Sequence, residues 1–181
     1  MIIRPLSDYP EYIKIVAMWA FGYWYSNSGI LFSAVLADYQ RRADFSSLPV
    51  AWVAVEDNKP IGIVSLKEYD LLSHKHLTPW LSALYVIPDF RKQGIAQKLI
   101  ETVADYASSL GFQSLYLFTD NRKNDYLIQY YSSRGWTTVE KTLDHRGVPT
   151  NIMNYVIPSK RKVEQNTICA AGIDSVSGGK I

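Results

Sequence analysis

The segment 81–110 passes from an apolar strand through a short basic loop into an amphipathic helix, and it constrains the fold more than any other part of the chain. Residues 91–96 of the loop read Arg-Lys-Gln-Gly-Ile-Ala. Main-chain N–H groups at the start of a helix have no internal partner and lie at the positive end of the helix dipole. Gly94 lets the backbone approach a ligand closely, and Arg91 and Lys92 add cationic donors. The segment therefore predicts a phosphate-binding turn between a strand and a helix.

The rest of the chain alternates between strand and helix patterns, which indicates a mixed α/β domain. Apolar and β-branched runs predict strands at 2–6, 50–56, 61–69, 80–86, 115–119, 136–143 and 150–157. Helical spacing predicts one helix from Ser7 or Asp8 to about residue 24, and further helices at 33–43, 95–110 and 124–133. Short turns join the first and last pairs of strands, so we expect antiparallel pairing there and parallel crossovers only in the middle of the sheet.

Length and composition favour one domain with a tail. The chain has 181 residues, of which 48% are hydrophobic, and a net charge of +2. We expect the domain to span residues 1–157 and a polar tail to span 158–181. The weak positive charge does not indicate a nucleic-acid surface, and no apolar run is long enough for a membrane span.

The single cysteine, Cys169, cannot form an internal disulfide, and it argues against a cysteine-rich metal site. We therefore expect no bound metal. A reducing environment and an N-terminus without a secretory apolar region favour a cytoplasmic protein.

A second motif lies downstream of the basic loop. Asn124 and Tyr131 are seven residues apart, about two helical turns, so both can address one elongated ligand from the same face. The pair Gly135-Trp136 follows four residues after Tyr131. Asn124 could instead cap the helix, and the neighbouring Tyr130 occupies an apolar slot typical of a core residue.

Together these motifs resemble the GNAT superfamily of acyl-CoA-dependent N-acetyltransferases. That family carries Arg or Gln, two variable residues, Gly, one variable residue, then Gly or Ala, and Arg91, Gly94 and Ala96 meet this pattern. The resemblance implies a mainly antiparallel sheet of about seven strands flanked by about four helices. It also implies acetyl-CoA as co-substrate, bound by main-chain groups of Leu84, Tyr85 and Val86 and by Arg91, Lys92, Gln93, Gly94, Ile95, Ala96, Gln97 and Asn124.

The implied reaction is direct attack of a primary amine on the acetyl thioester. The resemblance places Tyr131 near the sulfur, where it would protonate the departing thiolate. An alkylamine has a pKa of about 10.4 and must lose a proton first, so Asp70 and Glu68 are candidate bases. His74 or His76 could serve instead. Some members of the family carry a Glu five positions before the matching Asn, where this chain has Thr119.

Two other functions compete with this interpretation. A non-catalytic acyl-CoA-binding or sensor module would retain the phosphate-binding turn but would catalyse no acetyl transfer. A nucleotide-binding protein is disfavoured, because the turn contains neither a P-loop nor a dinucleotide-binding glycine pattern. The acceptor is expected to be a small-molecule or peptide amine, and the resemblance allows a homodimer.

Overall fold

The computed structural model describes residues 1–120 and 125–158 and shows a single seven-stranded sheet. The strand order is β1-β2-β3-β4-β5-β7-β6. Only β4 and β5 are parallel, and all other neighbours are antiparallel. The strands are β1 Ile2–Pro5, β2 Val50–Glu56, β3 Lys59–Lys67, β4 Trp80–Val86, β5 Ser114–Asp120, β6 Thr137–Leu143 and β7 Pro149–Val156.

Helices cover both faces of the sheet. They are α1 Ile13–Ala20, α2 Phe32–Arg42, α3 Ile95–Ser109 and α4 Tyr126–Ser132. Short 3₁₀ turns lie at Leu72–His74 and Pro88–Phe90. The first two helices pack on one face of β2 and β3, whereas α3 and α4 enclose the larger core on the opposite face. The predicted seven-stranded, mainly antiparallel α/β fold is thus confirmed.

The first predicted helix is not continuous. Two 3₁₀ turns at Leu6–Asp8 and Pro10–Tyr12 precede α1, and a π-helical turn at Phe21–Tyr25 follows it. Pro10 disfavours a helical conformation in Tyr9, which has φ −136° and ψ 63°, so the helix starts again after the proline. The prediction of a single helix from Ser7 or Asp8 to about residue 24 is therefore wrong.

A bulge interrupts β4 halfway along its length. Ile63 pairs with Tyr85 and Ser65 pairs with Ser82, so Ala83 and Leu84 both lie opposite one residue of β3. Ala83 has a φ of 52°, in the left-handed region. The extra residue bends the strand and interrupts the regular ladder of hydrogen bonds at this point.

The two parallel strands at the centre of the sheet separate just after they meet. Their pairing in the described residues is limited to Trp80 with Tyr116, whereas β5 pairs with β7 from Ser114 to Asp120. Beyond Trp80, the edge of β4 that faces β5 is therefore open. No helix among the described residues is long and apolar enough to cross a membrane.

Candidate active site

The basic loop forms a turn that ends on the first residues of α3. Lys92 and Gly94 both have left-handed backbone, with φ of 62° and 78°. The amide of Lys98 donates to the Gly94 carbonyl at 3.2 Å, which is the usual four-residue bond of a helix. The N–H groups that precede it in the first turn have no helical carbonyl to reach. They are therefore available to an anion at this end of α3.

Arg91 holds the loop against the end of β4. Its Nε donates to the Val86 carbonyl at 2.9 Å, and its guanidinium lies 5.5 Å from the centre of the Tyr85 ring. Arg91, Lys92 and Gln93 are exposed, whereas the Ile95 side chain is buried in the core. Ile95 can therefore contribute to a ligand site only through its main chain.

The other predicted cofactor residues on α3 face different surroundings. The side-chain amide nitrogen of Gln97 donates to Glu101 Oε1 at 3.0 Å. The side-chain oxygen Oε1 of Gln97 is buried and has no hydrogen-bond partner among the described residues. Ala96 is half-buried against the core. Asn124 lies outside the described residues.

The open edge of β4 leads to this turn. Leu84 and Val86 pack on the face covered by α3, and Tyr85 packs on the face covered by α1 and α2. The residues predicted to pair with a pantetheine arm therefore lie between the bulge and the start of α3.

Tyr131 is buried on the α3 side of the sheet. Its ring centre is 5.6 Å from that of Trp136 and 5.2 Å from that of Tyr130. Burial raises the pKa of Tyr131 far above its usual range, and the neighbouring phenols of Tyr130 and Tyr23 raise it further. Tyr131 consequently keeps its O–H at physiological pH and holds that proton more tightly than an exposed tyrosine does.

The candidate bases lie on the connection between β3 and β4. Asp70 forms an ion pair with Lys67, and Glu68 is exposed. The Lys67 ammonium therefore occupies an oxygen of the Asp70 carboxylate, whereas Glu68 forms no ion pair among the described residues.

The two histidines of the same connection contact each other. His74 is buried, and its ring nitrogens lie 2.8 Å from Ser73 Oγ and 3.1 Å from Glu140 Oε1. His76 is exposed, with its ring centre 5.8 Å from that of His74. His74 therefore links the connection to β6.

A group of polar side chains on the α1/α2 face was missed by the sequence reasoning. Arg42, which is only 3% exposed, pairs with Asp38 and donates to Ser65 Oγ at 3.0 Å. Burial raises the pKa of Tyr25, on which the charges of Arg42, Asp70, Asp38 and Arg146 also act. In sequence, Arg42 is one of two adjacent arginines at a helix end, and nothing there distinguishes it from a solvated residue.

Comparison with known protein families gives the decisive match. The family model of the acetyltransferase (GNAT) family matches residues 22–136, more than half of the chain. The chain belongs to the GNAT acetyltransferase family. The matched region includes the open edge of β4, the turn before α3 and Tyr131. The resemblance seen in sequence is confirmed, and the chain is an acyltransferase of the N-acetyltransferase class.

Individual relatives agree with this GNAT assignment. The chain is 27% identical over 155 residues to the peptidyl-lysine N-acetyltransferase YjaB of Salmonella typhimurium, covering 84% of this chain and 95% of that protein. An aminoglycoside 6'-N-acetyltransferase complexed with coenzyme A has a TM-score of 0.69 at 16% identity, over 88% of this chain and 99% of that one. The Arabidopsis thaliana NAA60 structure with acetyl-CoA has a TM-score of 0.66 at 18% identity, over 86% and 98%. Both structures share the fold.

Across residues 1–120 and 125–158, no three His, Cys, Asp or Glu side chains group in a way that could hold a metal ion.

Proposed function

We propose that this GNAT protein uses acetyl-CoA to acetylate a primary amine of a small molecule or a peptide. The observation that carries the proposal is the continuity of two features: the open edge of β4 runs from the bulge at Ala83 and Leu84 to the N-terminus of α3. An elongated ligand with amides at one end and phosphates at the other matches both features.

The donor would be held along this path. Main-chain groups of Leu84, Tyr85 and Val86 would pair with the pantetheine arm as an added strand does. The amides of Gly94, Ile95, Ala96 and Gln97, with the side chains of Lys92, Gln93 and Asn124, would bind the phosphates, and Arg91 would hold the turn in place. An added Cβ at Gly94 meets no heavy atom of the described residues within 4 Å, so these residues leave the space in front of this turn free for a ligand. When bound, acetyl-CoA supplies an acetyl thioester that is activated toward an amine.

Tyr131 would supply the proton for the thiolate. Its phenol carries a proton at neutral pH, as a general acid requires. A main-chain N–H of β4 beside the bulge would stabilise the oxyanion that develops during attack.

The amine must lose a proton before it attacks. Glu68 and Asp70 remain the proposed bases, acting directly or through water. The ion pair between Asp70 and Lys67 favours Glu68, because Glu68 forms no ion pair among the described residues.

The acceptor is proposed as an amine because the relatives act on amines. The Salmonella relative is named for peptidyl-lysine, and the coenzyme A-bound neighbour is named for an aminoglycoside.

A homodimer, a cytoplasmic location and the boundary at residue 157 stay predictions of the sequence.

An amine panel with acetyl-CoA tests the proposal. Free thiol is followed with time, and the product is checked for the mass of one added acetyl group. We expect amine-dependent thiol release with at least one acceptor. Saturable acetyl-CoA binding without thiol release on any amine would instead support the sensor alternative, and absence of acetyl-CoA binding would reject both.

A further inference from the structure

A groove of about 380 Å³ runs along one side of α3. Four residues of the helix line it at helical spacing, namely Gln97, Glu101, Asp105 and Ser108. The groove therefore extends from the first turn of α3 to its last. Pro158, the last residue that the structure describes, also lines it. The groove is thus continuous with the point at which the chain leaves the described fold.

The floor of the groove is apolar but carries two polar atoms without partners. Ile100, Ala104 and Trp136 line the floor and are buried. Trp136 Nε1 is a donor and Gln97 Oε1 is an acceptor, and neither has a hydrogen-bond partner among the described residues. Buried polar atoms in folded proteins are nearly always hydrogen-bonded. Because each residue of a peptide offers both an N–H and a carbonyl, a stretch of main chain suits this lining.

The side of the groove formed by α3 is acidic. Glu101 and Asp105 are exposed carboxylates, and their separation of four residues places them about 6 Å apart along the helix. Arg134 also lines the groove, but its guanidinium lies 3.7 Å from the centre of the Tyr130 ring and donates to the Tyr130 carbonyl at 2.8 Å. Arg134 is therefore held on α4, and the two carboxylates determine the charge beside α3.

The chain leaves the sheet at the C-terminal end of α3. The amide of Ile157 donates to the Gln113 carbonyl at 2.9 Å, just beyond the last turn of that helix, and Pro158 follows in the groove. Residues 159–163 then read Ser-Lys-Arg-Lys-Val. The groove side of α3 is about 16 Å long from first turn to last, which is the reach of five residues of extended chain. Residues 159–163 therefore match the groove in length.

The spacing of the charges matches as well. In an extended chain, alternate side chains point to the same side and lie about 6.6 Å apart. Lys160 and Lys162 are such a pair, and the two carboxylates on α3 have nearly the same separation. A segment that runs from the last turn of α3 toward its first turn places Lys160 beside Asp105 and Lys162 beside Glu101.

We propose that residues 159–163 of this chain lie in the groove as an extended strap, with Lys160 and Lys162 paired to the carboxylates of α3. The main chain of the strap gives partners to the two orphaned polar atoms of the floor. The strap ends at the first turn of α3, so the rest of the tail begins beside the turn proposed to bind phosphates. This inference does not depend on the proposed acetyl transfer.

A thiol pair in the full chain tests where the strap ends. Val163→Cys is combined either with Gln97→Cys, inside the groove, or with Lys98→Cys, at the adjacent exposed position outside the described lining. Cys169→Ser removes the native thiol from both proteins. The effective concentration of each thiol pair is measured at equilibrium in a glutathione redox buffer without acetyl-CoA. We expect a value about tenfold higher for the Gln97→Cys protein than for the Lys98→Cys protein.

Charge reversal tests the pairing in the Gln97→Cys/Val163→Cys protein. Adding Lys160→Glu and Lys162→Glu should lower the effective concentration about three- to tenfold, because repulsion replaces two exposed ion pairs. Further addition of Glu101→Lys and Asp105→Lys reverses the α3 charges as well and should restore the original value.

Three results would overturn the strap. The first is an equal effective concentration for the thiol pairs that contain Gln97→Cys and Lys98→Cys. The second is a disulfide that joins two chains, seen as a doubled mass, since it would place the tail of a second copy in the groove. The third is a charge reversal that leaves the effective concentration unchanged.

Discussion

Gly94 and Gly111 lie at opposite ends of α3, and both have left-handed backbone, with φ of 78° and 89°. At either position, an added Cβ meets no heavy atom within 4 Å in the part of the chain that the structure describes. Alanine at either site therefore brings only backbone strain, about 1–2 kcal/mol. The two glycines form a matched pair that differs in one respect: Gly94 lies at the proposed phosphate site.

Gly94→Ala should weaken acetyl-CoA binding, because the new methyl group occupies the space in which the phosphates would approach the turn. We expect about a tenfold loss of affinity, equivalent to about 1.4 kcal/mol, measured by calorimetry. Gly111→Ala should lower the free energy of unfolding in urea by a similar amount, but it should bind acetyl-CoA with wild-type affinity. Equal affinities for the two variants would show that the turn does not bind the donor.

Asp38→Ala should destabilise the protein strongly, because it leaves the buried guanidinium of Arg42 without its carboxylate. We expect a loss on the order of 3 kcal/mol in the free energy of unfolding, measured in urea. The double variant Asp38→Ala/Arg42→Met should recover more than half of it. Arg41 pairs with the same carboxylate but is 68% exposed, so Arg41→Ala should change stability by less than about 0.5 kcal/mol. An Asp38→Ala variant as stable as Arg41→Ala would contradict this account.

Because of Asp144, the free energy of unfolding should vary with pH in the acid range. Burial acts to raise the pKa of Asp144, but hydrogen bonds from the amides of Val148 and Arg146 and from the Arg146 guanidinium outweigh it and hold the pKa below its usual value. A carboxyl with a lowered pKa stabilises the fold above its unfolded pKa of about 3.9, and this stabilisation is lost as pH falls through the folded pKa.

Asp144→Asn should therefore cost about 1–3 kcal/mol at pH 7, and its difference from wild type should shrink below about pH 4. Urea unfolding at pH 7 and pH 3 measures both values. A difference that stays constant across this range would show that the charge of Asp144 does not stabilise the turn.

The turn before α3 could be predicted because its requirements are local. A strand, a basic loop with Gly94 and an amphipathic helix each leave a pattern in a few consecutive residues. The bulge in β4 leaves no such pattern. Ala83 has a φ of 52°, which alanine does not favour, so its backbone depends on how β4 pairs with β3 rather than on its own preference.

The sequence also could not show which charged side chains are buried. Arg41 and Arg42 are adjacent and chemically identical, yet one is exposed and the other lies against Ser65. Which of the two is buried depends on the rotation of α2 against β3. The sequence likewise did not show that Lys67 forms an ion pair with Asp70, the residue predicted as a base.

Tyr131 is the proposed proton donor, and Tyr130 provides its control. The two tyrosines are adjacent on α4, but Tyr130 is only partly buried, and Arg134 lies over its ring at 3.7 Å. Removing the Tyr131 hydroxyl should leave the donor site intact and remove the proton for the thiolate.

The most direct test is kcat for amine-dependent thiol release, measured at saturating acetyl-CoA and acceptor for wild type, Tyr131→Phe and Tyr130→Phe. We expect Tyr131→Phe to lower kcat by about 10²- to 10⁴-fold with unchanged acetyl-CoA affinity, and Tyr130→Phe to stay within about threefold of wild type. A Tyr131→Phe protein that turns over at the wild-type rate would contradict this expectation.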